Sequence, residues 1–443
     1  MTSILRDTTI AEVCEVFDGP HATPAKTDAG PIFLGITSLN KGRIDLGGLE
    51  HLSEEDFLKW TRRVTPRPGD VVFSYETKLG EAALIPNGLR CCLGRRMALM
   101  RPDLRQVDSR FLLYYYLGPE FQEVIRERTI HGSTVDRIAL IEFPKFPLRL
   151  PPLDVQKAIA HILGTIDDKI ELNRRMNETL AGMARALFQS WFVDFDPVRA
   201  KLDGRPPAGM NAETAALFPD SFHCSPLGHI PTGWDAIPLY DMAQWVNGAA
   251  FRSEDFCGAG EGLPVIKIAE LKEGISGQTK WCQRDGDSDK IIDTGDLLYS
   301  WSGSPDTSLE AFLWSGGRGL LNQHIFKVIS QTVAEKRFVY YTLQYLRPVL
   351  VETARNKQTT GLGHVTIADM KRLLVCVPNK AVLAAFDRNI APIFDKAFTN
   401  ILESRTLATL RDTLLPKLLS GELSVTNAES IVENTMSGAQ VQE

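Results

Sequence analysis

The run LDVQKAIAHILGTIDDKIELN, residues 153–173, decides how this chain folds. Ile159, Ile162, Ile166 and Ile170 step by three or four residues. The stepping continues through Asn173, Met176, Leu180, Met183, Leu187 and Trp191. Such spacing draws one apolar seam along a helix. No proline lies between Leu153 and Asp196, so the pattern predicts a helix of about 38 residues, roughly 57 Å long at 1.5 Å per residue. The stretch is then written a second time. Asp168-Lys169 recurs as Asp395-Lys396, Asn173 as Asn400, and Thr179-Leu180 as Thr406-Leu407. The second seam runs through Ile390, Ile393, Ala397, Asn400, Leu407, Leu410, Leu414 and Leu418, with Gly421 as its stop. Pro392, near its start, is expected to kink or delay this helix and leave it shorter or bent.

Upstream of each helix the repetition continues at a nearly constant offset. Asp70 followed by VVFS recurs as Asp296 followed by LLYS, and Arg110-Phe111 recurs as Arg337-Phe338 ahead of Tyr340-Tyr341. The runs 70–75 and 296–301 follow Gly-Asp turns and carry β-branched or aromatic residues, so they read as short strands. Each half is therefore a strand-and-turn domain followed by a long helix. A stripe that long cannot be buried on its own helix, and the economical partner is the other copy. Asn173 and Asn400 fall on the seam. They either fix its register at some cost in stability or sit at a wet edge of it. Residues 197–231 hold six prolines and several glycines, a composition that suits a mostly extended connector. The stretch 424–443 lacks periodicity and is expected to be disordered.

Composition bounds the function. With 44% hydrophobic and 23% charged residues this is an ordinary globular chain. It has no apolar run long enough to span a membrane and no secretory leader, and a cytoplasmic protein is expected. Seven cysteines without a CxxC spacing suit buried thiols in a reducing compartment. There is no GxxxxGK[ST] loop, no HExxH, no GxSxG and no Asn-Pro-Pro-aromatic tetrapeptide, and the glycine cluster 258–262 reads as a turn. No catalytic site and no metal site is expected.

The net charge of -6 argues against a protein that coats nucleic acid indiscriminately. The distribution says more. Residues 90–149 carry 11 basic against 7 acidic side chains, and residues 318–372 carry 9 against 3. Such surpluses can meet phosphates, which position a protein without specifying sequence, or can be merely solvated faces. Arg suits guanine edges, and Asn or Gln suits adenine. Arg95 and Arg96 fall at the place in the first half that Asn322, Gln323 and His324 occupy in the second. Polar clusters follow: His131, Ser133, Thr134 and Arg137 in one half, and Lys357, Gln358, Thr359, Thr360 and His364 in the other. Ser74 and Lys78, and Trp301 and Ser302, complete the candidate DNA contacts.

At this point the chain resembles the specificity subunit of type I restriction-modification systems. The residues that carry the resemblance are LPPLDVQ (150–156), DDKIELN (167–173), ALFQSWFVDFDP (186–197), GRPP (204–207), ETAALFPD (213–220) and PTGW (231–234). The resemblance implies an α+β chain with an internal pseudo-twofold repeat, in which two globular α/β target-recognition domains are separated by two long antiparallel coiled-coil helices. The parts are 1–150 and 233–378 as target-recognition domains, 151–196 and 379–423 as spacer helices, 197–232 as connector and 424–443 as tail. The spacer seam comprises Ile166, Ile170, Asn173, Leu180, Leu187, Ile393, Asn400, Leu407 and Leu414. The resemblance further implies a non-catalytic subunit for phage defence that binds double-stranded DNA at two separated half-sites. Two methyltransferase subunits, and in some assemblies two motor-nuclease subunits, are its partners. S-adenosylmethionine, ATP and Mg2+ belong to those partners, and this chain binds no cofactor. Where the first copy has PPLDVQ, the second has PNKAVL (378–383), which leaves the second helix start less clearly matched. The competing reading is a coiled-coil scaffold or adaptor with no DNA role, and the two basic regions argue against it.

Overall fold

The computed structural model describes residues 5–283, 288–358 and 362–438. The first module opens and closes on one antiparallel pair, Arg6–Thr9 against Pro147–Leu150. Between these ends lies a four-stranded antiparallel sheet in the order Cys14–Asp18, Met97–Pro102, Val71–Ser74, Ala82–Leu84. Val71, Val72 and Phe73 are all fully buried, so this strand is covered on both faces. That is why it reads as a continuous apolar run instead of an alternating one. A second sheet pairs Lys26–Leu34 in parallel with Cys91–Leu93.

The second module repeats these steps. Asp235–Pro238 runs against Leu374–Val377. Its four-stranded sheet has the order Gln244–Asn247, Ile325–Ile329, Leu297–Ser300, Glu310–Leu313, and Leu263–Ile266 pairs in parallel with Gly319–Leu321. One ion pair recurs between central strands: Asp70 with Arg101 at 2.7 Å, and Asp296 with Lys327 at 3.0 Å. The modules diverge around the parallel pair. The second sheet has three strands in the first module and five in the second. Each module carries a short helix ahead of its buried central strand, Glu54–Trp60 in the first and Ile268–Glu273 in the second.

The long helices are Leu153–Phe192 and Lys380–Ser420, of 40 and 41 residues. The expectation of a shortened second helix is corrected: it runs on through Pro392. The Asn379 side chain accepts the Val382 N–H at 3.0 Å and caps its start. Val382, Ala385, Phe386 and Ile390 are fully buried in the turns before the proline. That burial offsets the roughly 3 kcal/mol a mid-helix proline costs. The first helix starts differently. Gln156, 1% exposed, donates to the carbonyls of Pro151 and Gln106 and accepts the Asp108 N–H. A buried amide fully used in this way explains the glutamine of the PPLDVQ run.

The chain forms two compact units, Met1–Glu171 with Arg405–Glu443, and Leu172–Ser404. The boundary cuts through both long helices, so neither helix is an element apart from the modules. In the first unit Ile159, Ile162 and Ile166 share a core with Leu407, Leu414 and Leu418 and with Phe111 and Tyr115 of the module. In the second, Phe188, Trp191 and Phe192 pack with Phe338, Phe386 and Ile390. Ile170, Leu180, Leu187 and Ile393 are half-buried, and Met183, expected on the seam, is 53% exposed while Ala184 takes the buried place. The repeated Arg and Asp residues meet each other in both copies: Arg110 with Asp168 at 2.6 Å, and Arg337 with Asp395 at 2.8 Å.

Both seam asparagines are fully buried. Asn173 donates to Glu403 at 2.8 Å and to Ser404 at 3.3 Å, and Asn400 donates to Asn177 at 2.8 Å. Asn177 in turn donates to the Ala397 carbonyl. Partner numbers fall as residue numbers rise, so these helix segments run antiparallel within the second unit. The wet-edge reading is excluded, and the cross-helix bonds can hold only at one register.

Two further expectations are corrected. The connector is not extended. It holds the helices Asp196–Leu202 and Ala212–Ala216 and a hairpin of Phe222–Ser225 with Gly228–Pro231. Phe195, Val198, Phe218, Ile230 and Trp234 bury themselves in the core of the second unit, and six prolines do not prevent it. The tail is helical over Val425–Met436, with Ala428 and Val432 buried against the first unit's core and Ser424 as N-cap. Not all thiols are buried either. Cys224, on the exposed hairpin, lies outside any core.

Candidate nucleic-acid interface

In each module four segments converge on one end of the four-stranded sheet. In the first they are the end of Cys14–Asp18, the loop after Val71–Ser74, the turn 94–96 and the stretch 129–138. The Tyr75 N–H donates to the Arg96 carbonyl, the Ile138 N–H to Tyr75 and the Gly19 N–H to Met97. In the second, the Trp301 N–H donates to the His324 carbonyl, the Val365 N–H to Trp301 and the Gly248 N–H to Ile325. These are the same three bonds at equivalent positions. Glu76 bridges Arg137, and at the matching place Ser302 pairs with His364. A common backbone frame therefore presents two different sets of side chains.

Arg96 has a φ of 70°, a left-handed conformation that side chains rarely adopt. Its guanidinium holds Glu76 at 3.1 Å and Thr77 at 3.2 Å, which ties the turn to the neighbouring loop. Arg95 beside it is exposed and has no hydrogen bond or ion pair among the described residues. In the second module Gln323 and His324 occupy this turn, both exposed, with Gln323 Nε2 3.4 Å from His324 Nε2. His324 meets the Trp301 ring edge-on at 5.8 Å. Trp301 itself donates through Nε1 to Asn247 at 3.1 Å. Asn322 is half-buried and bridges Ala249.

Several candidates are not free to read anything. Ser74 is fully buried and donates to the Glu76 carbonyl, so it is withdrawn as a DNA contact. The Lys78 ammonium donates to the Leu39 carbonyl at 3.1 Å. Lys357 is held by Asp369 at 2.6 Å. Burial would raise the Asp369 carboxyl, but hydrogen bonds from Lys357 and Thr366 bring it down to about 2. His131 faces Asp136 at 3.2 Å, while Ser133, Thr134, Arg137 and Gln358 are exposed. Thr359 and Thr360 lie outside the described residues.

Sequence reasoning named Trp301 but missed Tyr75, its counterpart in an aromatic pair that the frame repeats. Tyr75 and Trp301 each follow a central strand, and Asp18 and Asn247 each end the edge strand two places across the sheet. Burial and the nearby Asp18 carboxylate push the Tyr75 hydroxyl up to about 12, so it stays a neutral donor. The signal was present, because an aromatic follows both VVFS and LLYS.

Residues 7–181 and 231–411 match the type I restriction modification DNA specificity domain. The chain belongs to this family. It is similar to the HindI specificity subunit of Haemophilus influenzae, at 23% identity over 81% of this chain and 87% of that one. It is likewise similar to the MjaIX specificity subunit of Methanocaldococcus jannaschii, at 24% identity over 85% and 83%. The S subunit from M. genitalium shares the fold, with a TM-score of 0.55 at 15% identity over 94% of this chain and 96% of that one. Specificity subunits recognise DNA and are not themselves catalytic. Among the described residues no group of three or more His, Cys, Asp or Glu is placed to hold a metal ion. No described helix is long and apolar enough to cross a membrane.

Proposed function

We propose that this specificity subunit recognises a bipartite DNA target and directs adenine methylation and cleavage by partner subunits. The observation that carries the reading is the repeated loop frame, which sets Arg95 and Arg96 in one module where Gln323 and His324 stand in the other. Guanidinium and amide groups favour different base edges, so the half-sites differ. The modules serve as the two target-recognition domains, and the paired long helices act as the spacer that sets the gap between half-sites. Two methyltransferase subunits supply the methyl group from S-adenosylmethionine, and in assemblies that include them two motor-nuclease subunits supply ATP- and Mg2+-dependent cleavage. All of this takes place in the cytoplasm.

The test is a module exchange. Residues 233–378 are replaced by those of another family member, and the host's methylome is sequenced with the methyltransferase present. One half-site should change while the other half and the gap persist. A change in both halves, or in neither, would overturn the modular reading.

A further inference from the structure

Beside the Arg95 turn the first module has a cavity of about 500 Å³, lined among others by Asp18, Leu93, Trp60, Arg62 and Arg63. Its floor belongs to the loop frame, since Asp18 and Gly19 end the edge strand and Leu93 leads into the turn. Its rim is the segment after the Glu54–Trp60 helix. Arg62 is exposed and has no ion pair or hydrogen bond among the described residues. Arg63 is 66% exposed, with only a 3.7 Å approach to Asp18. His21 shares that carboxylate at 3.0 Å. Lys59, also on the rim, is already taken by Glu55 at 2.8 Å and by Asp56. The buried Trp60 indole N–H has no acceptor among the described residues.

We propose that this cavity seats the sugar-phosphate backbone of the DNA beside the first half-site, with Arg62 and Arg63 as phosphate contacts. The proposal rests on the DNA-recognition reading and extends it to residues outside the reading turn. Two guanidiniums without firm protein partners fit a polyanion, and Gly19 of the same cavity lies against the turn that carries Arg95. Contacts of this kind position a protein on the duplex and carry no sequence information.

The test uses the full chain and its Arg62→Ala/Arg63→Ala variant. Anisotropy titrations on duplex DNA are run across a salt series. Each phosphate contact contributes about 0.9 to the slope of log affinity against log salt. The double variant should therefore lose about 1.8 from the slope, while Arg62→Lys/Arg63→Lys keeps it and thermal melting is unchanged. The methylated motif should stay the same. An unchanged slope in a chain whose wild type is salt-dependent overturns the backbone seat and leaves DNA recognition standing. A wild type with no salt dependence overturns both. A changed motif would make these residues base readers and also overturn the seat.

Discussion

One position in the repeat is solved by opposite chemistry in the two units. In the first, Asp167 of the long helix accepts the Tyr114 hydroxyl at 2.7 Å, Arg411 at 2.9 Å and Arg43 at 3.3 Å. In the second, the equivalent residue is Phe394, and the residue equivalent to Arg411 is the buried Ala184. Phe394 is enclosed by Tyr340 at 5.5 Å and Tyr341 at 6.2 Å, with the Arg337 guanidinium over its face at 5.3 Å. The equivalent helix is thus tied to its module by an ionic network in one copy and by edge-to-face rings in the other. An ionic network is directional and answers to charge, whereas a ring cluster answers to volume.

The largest effect should come from emptying the ring cluster. Phe394→Ala is expected to cost about 3–5 kcal/mol, as buried Phe truncations do. Hydrogen exchange should show protection lost in Leu172–Ser404 and kept in the first unit. The ionic side should respond less to a single change. Arg411→Met leaves Asp167 with Tyr114 and Arg43, so a loss of about 1–3 kcal/mol is expected on urea unfolding. Carrying the second unit's solution into the first sharpens the comparison. Asp167→Phe with Arg411→Ala should cost less than the two single changes added together, by about 1 kcal/mol or more. Strict additivity would mean that the two positions do not act as one contact. The smallest effect concerns acid. The folded Asp369 carboxyl is held below its ordinary value, so it adds stability above that value. This contribution fades as pH falls toward about 2. Lys357→Met should flatten that part of an acid titration of the thermal midpoint.

The long helices, the repeat and the seam asparagines were legible in the sequence, because a period of three to four residues and an ordered recurrence are one-dimensional signals. The Asp167 network was not. Of the adjacent Asp167 and Asp168 only the second recurs in the other copy, and the Arg411 that completes the network stands 244 residues away. The connector misled for a related reason. Its buried residues, from Phe195 to Trp234, are scattered among prolines with no period to betray a core. The tail helix does carry a short stripe, Val425, Ala428, Val432 and Met436, but its polar composition outweighed these four residues in the reading. At the candidate interface the sequence located the turns but could not separate Arg95, which has no partner among the described residues, from Lys357, whose charge is already spent on Asp369. That separation depends on partners set by the fold.

Each module begins and ends on neighbouring strands, Arg6–Thr9 beside Pro147–Leu150 and Asp235–Pro238 beside Leu374–Val377. A segment whose two ends emerge side by side can be cut out of a gene and replaced by one of different length with little strain on what flanks it. Two crossovers, one at each strand of the pair, would suffice to exchange a whole module while the helices stay as they were.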